Sequence, residues 1–160
     1  MISAEERKGA PRFKKRALES HKGTYGRVCV IGGSFGMAGA VFLSGRGALL
    51  SGAGLVELVV PERIGDVISC KAVSCMVKTL PSGSEGGFGV RAGSRVMKEV
   101  RDATVIAAGP GMRTLPGSCV VVKKVLGNAE VPLVLDADAL NCIALRKWND
   151  LLRKRRSPTV

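Results

Sequence analysis

Two carboxylates and an amide follow an apolar run near the end of the chain. Asp136 and Asp138 come directly after residues 131–135, and Asn141 follows three positions later. Carboxylates at i and i+2 at a strand end can point to the same side, where they can hold Mg²⁺ through water, orient a hydroxyl or cap the next helix. A functional role is favoured for Asp136 over pairing with a nearby amide. For Asp138 a functional role and a helix N-cap are equal alternatives.

Two glycine-rich segments also follow apolar runs directly. Residues 32–40 have the sequence Gly-Gly-Ser-Phe-Gly-Met-Ala-Gly-Ala, and residues 108–112 have Ala-Gly-Pro-Gly-Met. Glycine lets a ligand approach the backbone, and a helix that opens after such a turn presents free N–H groups to an anion. The first segment fits neither GxGxxG nor the P-loop pattern, so nucleotide binding and a purely structural turn stay open for it. For the second, a tight strand-to-helix turn is favoured.

The residue types available disfavour covalent hydrolytic catalysis. His21 is the only histidine and precedes the first apolar run, so a Ser/His/Asp or Cys/His triad has no evident base. The five cysteines include no CxxC pair, which argues against a structural zinc site. They are expected to be buried free thiols in a reducing cytosol.

Alternating strands and helices must position these segments. Apolar runs predict strands at residues 27–32, 55–60, 75–80, 103–108 and 131–135. The segments between and after them predict helices at residues 39–51, 62–70, 90–100, 115–127 and 139–152, and a Gly/Ser-rich loop at 81–89. Strands that are apolar throughout are buried on both faces, which predicts an α/β fold with a mainly parallel sheet. Ligands bind outside the carboxyl ends of such strands, so the three segments should meet at one edge.

Positive charge is concentrated at the two ends of the chain. The net charge is +12, with eight Lys/Arg in residues 1–27 and six in residues 146–156. Aromatic residues make up only 4%, so solvated ends are favoured over a nucleic-acid-binding face. The sequence has no run of 18 apolar residues and no secretory signal, which predicts a cytoplasmic protein without a membrane segment.

Taken together, the motifs resemble those of one family. Residues 21–27, 32–40, 51–55, 108–111 and 135–141 occur in the order found in the ADP/ATP-dependent NAD(P)H-hydrate dehydratases, ribokinase-like relatives of the sugar kinases. The similarity covers about residues 20–160. It implies a ribokinase-like three-layer α/β/α fold, with residues 1–20 as a basic arm and residues 21–160 as a partial dehydratase domain.

The resemblance also implies an activity and a site. Such enzymes remove water from hydrated NADH or NADPH, using Mg²⁺ with ADP in bacteria and archaea or ATP in eukaryotes, and they are often homo-oligomeric. With ADP the products are AMP and phosphate. By analogy, the hydrated dinucleotide would contact Gly36, Met37, Ala38, Gly39, Ala40, Gly109 and Gly111. The phosphates and the metal would lie near Asp136, Asp138 and Asn141.

The family pattern continues with motifs that this sequence does not contain. They are a Thr-Pro-His-Pro-Gly-Glu-like strand end, a nucleotide-binding segment and a Gly-x-Gly-Asp motif that supplies an anion hole and the catalytic base. Without them we expect no catalytic residue, little or no activity and a sheet incomplete at its C-terminal end, with an open, aggregation-prone edge on the fifth strand. A sugar or hydroxymethylpyrimidine-type kinase and a noncatalytic dinucleotide-binding module are the alternatives.

Overall fold

The computed structural model describes residues 15–160, so most of the predicted basic arm lies outside the described residues. Five strands are present there: β1 (Arg27–Ile31), β2 (Leu55–Pro61), β3 (Met76–Leu80), β4 (Val105–Ala108) and β5 (Leu133–Leu135). Six α-helices accompany them: α1 (Ala38–Leu50), α2 (Gly65–Lys71), α3 (Ala92–Glu99), α4 (Pro116–Asn128), α5 (Asp138–Arg146) and α6 (Asn149–Arg153). Short 3₁₀ helices at Lys22–Tyr25 and Glu62–Ile64 precede β1 and α2.

The five strands form one parallel sheet in the order β3-β2-β1-β4-β5. The chain moves outward from β1 to β3, then returns to the other side of β1 for β4 and β5. This reversal creates a crevice between the carboxyl ends of β1 and β4, which is where ligands bind in open parallel sheets. The predicted parallel α/β fold is therefore confirmed.

Helices cover both faces of the sheet, as the continuous apolar character of the strands predicts. On one face α1 packs on β1 and β2, and α2 packs on β3, around a core that includes Val41, Leu58 and Ile68. On the other face α3, α4 and α5 enclose a larger core that includes Phe88 and Leu126. The three-layer α/β/α arrangement is confirmed, and the two cores fix the strand ends that carry the glycine-rich turns.

A buried charge cluster joins the three strands on one side of the sheet. Glu57 in the middle of β2 is only 1% exposed, and it pairs with Arg27 of β1 at 2.7 Å and with Lys78 of β3 at 3.0 Å. A buried carboxylate is tolerated when it is paired and hydrogen-bonded in this way. The cluster therefore helps to define the register of β1, β2 and β3.

The prediction of one long helix over residues 139–152 is wrong. Lys147 adopts a left-handed conformation with φ of 55° and ends α5, and α6 starts at Asn149 after a separate N-cap at Trp148. The break lets Leu151 and Leu152 pack against the larger core. No glycine or proline marks this position in the sequence.

The expectation of an open edge on β5 is also corrected. Residues 158–160 run parallel to β5, where Leu133 N donates to Pro158 O at 3.0 Å and Leu135 N donates to Val160 O at 2.8 Å. Val160 N returns a hydrogen bond to Leu133 O at 3.0 Å. Backbone groups that would form an unpaired edge are therefore satisfied by the chain's own last residues.

Two smaller expectations are also tested by the fold. The Gly/Ser-rich loop at 81–89 folds back on itself through an antiparallel bridge between Ser82 and Phe88, and Phe88 is buried.

The cysteines are free thiols, and three of them are buried, but Cys70 is exposed and does not follow the expectation. None of the helices found within residues 15–160 has the length and apolar character needed to cross a membrane.

Candidate functional site

The three segments singled out in the sequence meet at the carboxyl edge of the sheet. Gly33 N donates to Pro110 O at 2.8 Å, and Ser34 Oγ donates to Gly111 O at 2.8 Å, which joins the turn after β1 to the turn after β4. Asp136 N donates to Ala108 O at 3.0 Å and brings the turn after β5 alongside. The expected juxtaposition is therefore present, while the binding roles of the individual residues stay predictions.

Two glycines of the turn after β4 are required by close backbone contacts. Gly109 has a φ of 127°, and a Cβ there would overlap Asp136 O. Gly111 has a φ of 65°, and a Cβ there would lie 2.7 Å from Met37 O and 2.9 Å from Ala40 Cβ. The Gly-Pro-Gly sequence is thus explained by packing between the three turns, since only glycine accommodates both the dihedrals and the approach.

The turn after β1 presents open backbone at the start of α1. A Cβ at Gly36 or at Gly39 would meet nothing within 4 Å, and both residues are exposed. Met37 occupies the N-cap without a side-chain hydrogen bond to the helix, and no acidic residue lies in the first turn. The amides at this helix start are therefore accessible donors with a positive dipole end, which suits an anionic ligand.

Asp138 fastens the turn after β4 to the turn after β5. Arg113 N donates to Asp138 Oδ2 at 2.8 Å, and Asn141 Nδ2 donates to Asp138 Oδ1 at 3.1 Å. Ala137, with φ of 44°, is the N-cap of α5 and Asp138 is its first residue, so the N-cap interpretation of Asp138 is wrong. Both carboxylate oxygens accept a hydrogen bond, which makes Asp138 a tether between two strand-end turns.

Asp136 has a different environment from Asp138. Asp136 is exposed, and its carboxylate makes no hydrogen bond or ion pair with another residue of the described range 15–160. The alternative pairing with a nearby amide is therefore not seen. Asp136 is the carboxylate of this edge that stays available to a ligand.

A shallow cleft of about 580 Å³ adjoins this tether. It is lined by Thr114, Asp138, Asn141, Ala144 and Leu145. Within the described part of the chain, no three His, Cys, Asp or Glu side chains are grouped as metal ligands. The residues present therefore form no closed protein cage, whereas Mg²⁺ is usually held by one or two carboxylates together with waters and substrate phosphates.

Two participants were not found from the sequence. Arg113, with φ of 59°, supplies the amide that binds Asp138, and its guanidinium reaches Glu85 O at 3.2 Å. Ser34 is fully buried and joins the first two turns. A small hydroxyl residue directly after two glycines is a usable signal for Ser34, whereas nothing in the sequence marks Arg113 as a positive-φ residue.

The histidine lies apart from this edge. His21 precedes β1, and its Nδ1 accepts a hydrogen bond from Gly23 N at 3.2 Å. This contact caps the 3₁₀ helix Lys22–Tyr25. A structural role therefore accounts for the only histidine of the chain.

Comparison with known proteins agrees with this arrangement. A family model described as NAD(P)H-hydrate dehydratase matches residues 28–160. The chain belongs to this family. Over 130 residues it is 38% identical to the bifunctional NAD(P)H-hydrate repair enzyme Nnr of Moorella thermoacetica, and over 134 residues it is 34% identical to the enzyme of the same name from Escherichia coli. These matches cover 81% and 83% of the chain but 24% of each relative, so the chain spans about a quarter of their length.

Solved structures show the same fold. A ribokinase-like superfamily protein from Enterococcus faecalis superposes with a TM-score of 0.69 at 24% identity, covering 83% of this chain and 44% of that one. An ADP/ATP-dependent NAD(P)H-hydrate dehydratase from Bacillus subtilis, co-crystallised with ATP and Mg²⁺, gives 0.60 at 30% identity, covering 80% and 43%. The ribokinase-like fold expected for this family member is therefore confirmed.

Proposed function

We propose that this chain forms the dinucleotide-binding side of an NAD(P)H-hydrate dehydratase site and takes hydrated NADH or NADPH as its ligand. The observation that carries the proposal is the open start of α1, where Gly36 and Gly39 leave the backbone uncovered beside the buried Gly-Pro-Gly turn. Membership of the family supports the ligand class. The partner nucleotide is ADP or ATP, as the name of the Bacillus subtilis relative suggests.

The chemistry available to these residues is binding and orientation. Amides at the start of α1 would hold a phosphate group of the dinucleotide, because the helix N-terminus offers unpaired N–H donors and a positive partial charge. The turn at Gly109–Gly111 would form the opposite wall. Asp136, whose carboxylate has no partner among the described residues, would face the hydroxyl that is lost or the phosphates of the nucleotide.

No residue of this chain is proposed as the catalytic base. The sequence has one histidine, which caps a 3₁₀ helix, and no Gly-x-Gly-Asp motif. Phosphoryl transfer depends on charge stabilisation and positioning by groups on both sides of the phosphate. We therefore expect the 160-residue chain to bind the hydrated dinucleotide without turning it over at the rate of a complete site.

A matched pair of glycines on α1 tests the proposal. Gly39 lies in the first turn of α1 and Gly47 lies near its other end, and a Cβ at either position meets nothing within 4 Å. Both alanine variants should fold and gain roughly 0.5–1 kcal/mol of stability, because alanine replaces glycine in a helix. Only the Cβ of Gly39→Ala would stand between a ligand and the backbone.

The readout is the affinity for NADPH and hydrated NADPH, measured by isothermal titration calorimetry. We expect Gly39→Ala to bind at least about tenfold more weakly, a loss of about 1.4 kcal/mol, and Gly47→Ala to bind like the unmodified chain. Equal affinity of the two variants would show that the dinucleotide does not approach the start of α1. Phosphorylation of a sugar or hydroxymethylpyrimidine by the chain would instead favour the kinase alternative.

A further inference from the structure

A second cleft lies at the same edge of the sheet, beyond β2 and β3. It has a volume of about 600 Å³ and is lined by the segments that follow these strands, including Glu62 and Ser82, and by Arg91 and Arg95 at the start of α3. The candidate site described above uses the ends of β1, β4 and β5. We call this second feature the Arg91/Arg95 cleft.

The Arg91/Arg95 cleft is lined by hydrogen-bond donors that suit an anionic ligand. Arg91 and Arg95 are one helical turn apart and exposed, and neither guanidinium makes a hydrogen bond or an ion pair with another residue in the range 15–160. Ser82 Oγ accepts a hydrogen bond from Arg63 N at 2.8 Å, so its position is fixed and its proton can be donated to a ligand. Two guanidinium forks and a hydroxyl match the oxygens of a phosphate monoester.

Glu62 is the carboxylate that lines this cleft among the described residues. Its charge opposes an anion, but two arginines leave the lining net positive. The cleft is also more polar than the apolar groove between α1 and α2, which holds Phe42 and Leu49. The composition therefore favours a phosphate group over an apolar ligand.

A short chain of contacts connects the Arg91/Arg95 cleft to the start of α1. Phe35 precedes Gly36, is 64% exposed, and donates its backbone N–H to Gly86 O at 2.9 Å. The Arg63 guanidinium lies 5.5 Å from the centre of the Phe35 ring, and Arg63 N binds Ser82 in the cleft wall. An exposed aromatic ring therefore lies between the open helix start and the cleft, as a surface on which a base can stack.

We propose that the Arg91/Arg95 cleft binds the ribose 2′-phosphate that distinguishes NADPH hydrate from NADH hydrate. The inference rests on the proposed function, because it assumes a dinucleotide anchored at the start of α1. Arginines beside a dinucleotide site are a general means of accommodating a 2′-phosphate. The chain therefore prefers the 2′-phosphorylated dinucleotide, and Arg91 and Arg95 determine that preference.

The test compares NADPH with NADH in calorimetric titrations of the full 160-residue chain. We expect NADPH to bind about 10- to 100-fold more tightly, which corresponds to hydrogen bonds with charged donors. The double variant Arg91→Ala/Arg95→Ala should lose this preference and keep the affinity for NADH. Arg101→Ala is the control, because Arg101 is an exposed arginine outside the cleft, and its ion pair within residues 15–160 is with Asp102 at 3.5 Å.

Glu62→Gln supplies a variant with the opposite effect. Removal of the opposing charge should raise the affinity for NADPH severalfold and leave that for NADH unchanged. Equal binding of NADPH and NADH to the unmodified chain, or a preference that survives the double variant, overturns the assignment of the cleft alone. If neither dinucleotide binds the unmodified chain, the proposed function fails and the cleft assignment fails with it.

Discussion

At the scale of single residues, the two aspartates after β5 have separate tasks. Asp138 uses both carboxylate oxygens to accept hydrogen bonds from Arg113 N and Asn141 Nδ2, whereas the carboxylate of the exposed Asp136 has no partner in the described residues. The sequence indicated that a carboxylate pair at a strand end is significant. It could not separate the two roles, because the amide that selects Asp138 belongs to Arg113, which is distant in sequence and has a positive φ.

This difference predicts unequal effects of two alanine substitutions on stability. Asp138→Ala leaves the Arg113 N–H without its acceptor and removes a carboxylate from the start of α5, so it should lower the free energy of unfolding by about 1–3 kcal/mol. Asp136→Ala should change it by less than about 0.5 kcal/mol, as expected for an exposed side chain whose carboxylate has no partner among residues 15–160. Urea denaturation measures both, and equal effects would contradict the assignment of Asp138 as the tether.

The glycines of the site show what sequence can reveal at this scale. Clusters at 32–40 and 108–112 were recognised as turns that allow close approach, and Gly109 and Gly111 are indeed in backbone-to-backbone contact. Their partners, Asp136 O and Met37 O, come from other turns. These contacts form because the strand order brings the turns together, and the strand order cannot be deduced from one local sequence pattern.

At the scale of elements, the apolar runs predicted the strands and most helices, with ends shifted by up to two residues. The predicted helix at 62–70 begins as the 3₁₀ helix Glu62–Ile64 before α2. Burial on both faces makes such strands conspicuous in the sequence. The break between α5 and α6 was missed because Lys147, rather than glycine, takes the left-handed conformation, and core packing of Leu151 and Leu152 compensates for it.

Arg155 holds the final segment of the chain against the larger core. Its guanidinium donates to Leu126 O, Ala129 O and Val131 O, at 3.2, 2.7 and 2.8 Å, and its Nε donates to Thr159 Oγ1 at 2.9 Å. These bonds satisfy carbonyls at the end of α4 and position residues 158–160 beside β5. Burial lowers the pKa of this guanidinium from its ordinary value.

Arg155→Ala should therefore destabilise the edge of the sheet. We expect a loss of about 2–3 kcal/mol, since hydrogen bonds from a charged donor are removed and carbonyls lose their partner. Arg155→Lys should recover only part of it, because an ammonium cannot reproduce the planar fork. Arg156→Ala is the control, and hydrogen exchange at Leu135 N should accelerate only in the Arg155 variants. Unchanged exchange at Leu135 in Arg155→Ala would contradict this role.

At the scale of the whole molecule, buried thiols make the free energy of unfolding depend on pH in the alkaline range. Burial, with a smaller contribution from the nearby Glu57 charge, raises the pKa of Cys29 from 9.0 to about 12. Burial and the contact with Cys119 also raise the pKa of Cys142. As pH rises, these thiols ionise first in the unfolded state, which lowers the free energy of unfolding. For Cys29 the free energy of unfolding is therefore undiminished below about pH 9 and decreases as pH approaches 12.

The free energy of unfolding should therefore decline above pH 9, by at most about 1.4 kcal/mol per pH unit for each buried thiol. Cys29→Ala should decline less steeply over the same range, because one of these groups is removed. Chemical denaturation at several pH values between 8 and 11 gives the slope. Identical slopes for the variant and the unmodified chain would contradict the assignment to Cys29.

Residues 15–160 adopt the ribokinase-like arrangement, with both faces of the sheet covered and β5 paired to residues 158–160. It corresponds to about a quarter of its curated relatives and under half of the solved structures. The family and fold could be inferred from ordered motifs. The pairing of residues 158–160 could not, because three residues carry too little pattern to identify a strand.

The proposed function places the dinucleotide where α1 starts, beside the Gly-Pro-Gly turn. Titration of ¹⁵N-labelled chain with NADPH, followed by amide chemical shifts, tests it most directly. We expect saturable shifts that are largest at Ala38, Gly39 and Gly111, and smaller ones elsewhere. Shifts confined to the groove between α1 and α2, around Leu49 and Val73, or no shifts at millimolar NADPH, would contradict it.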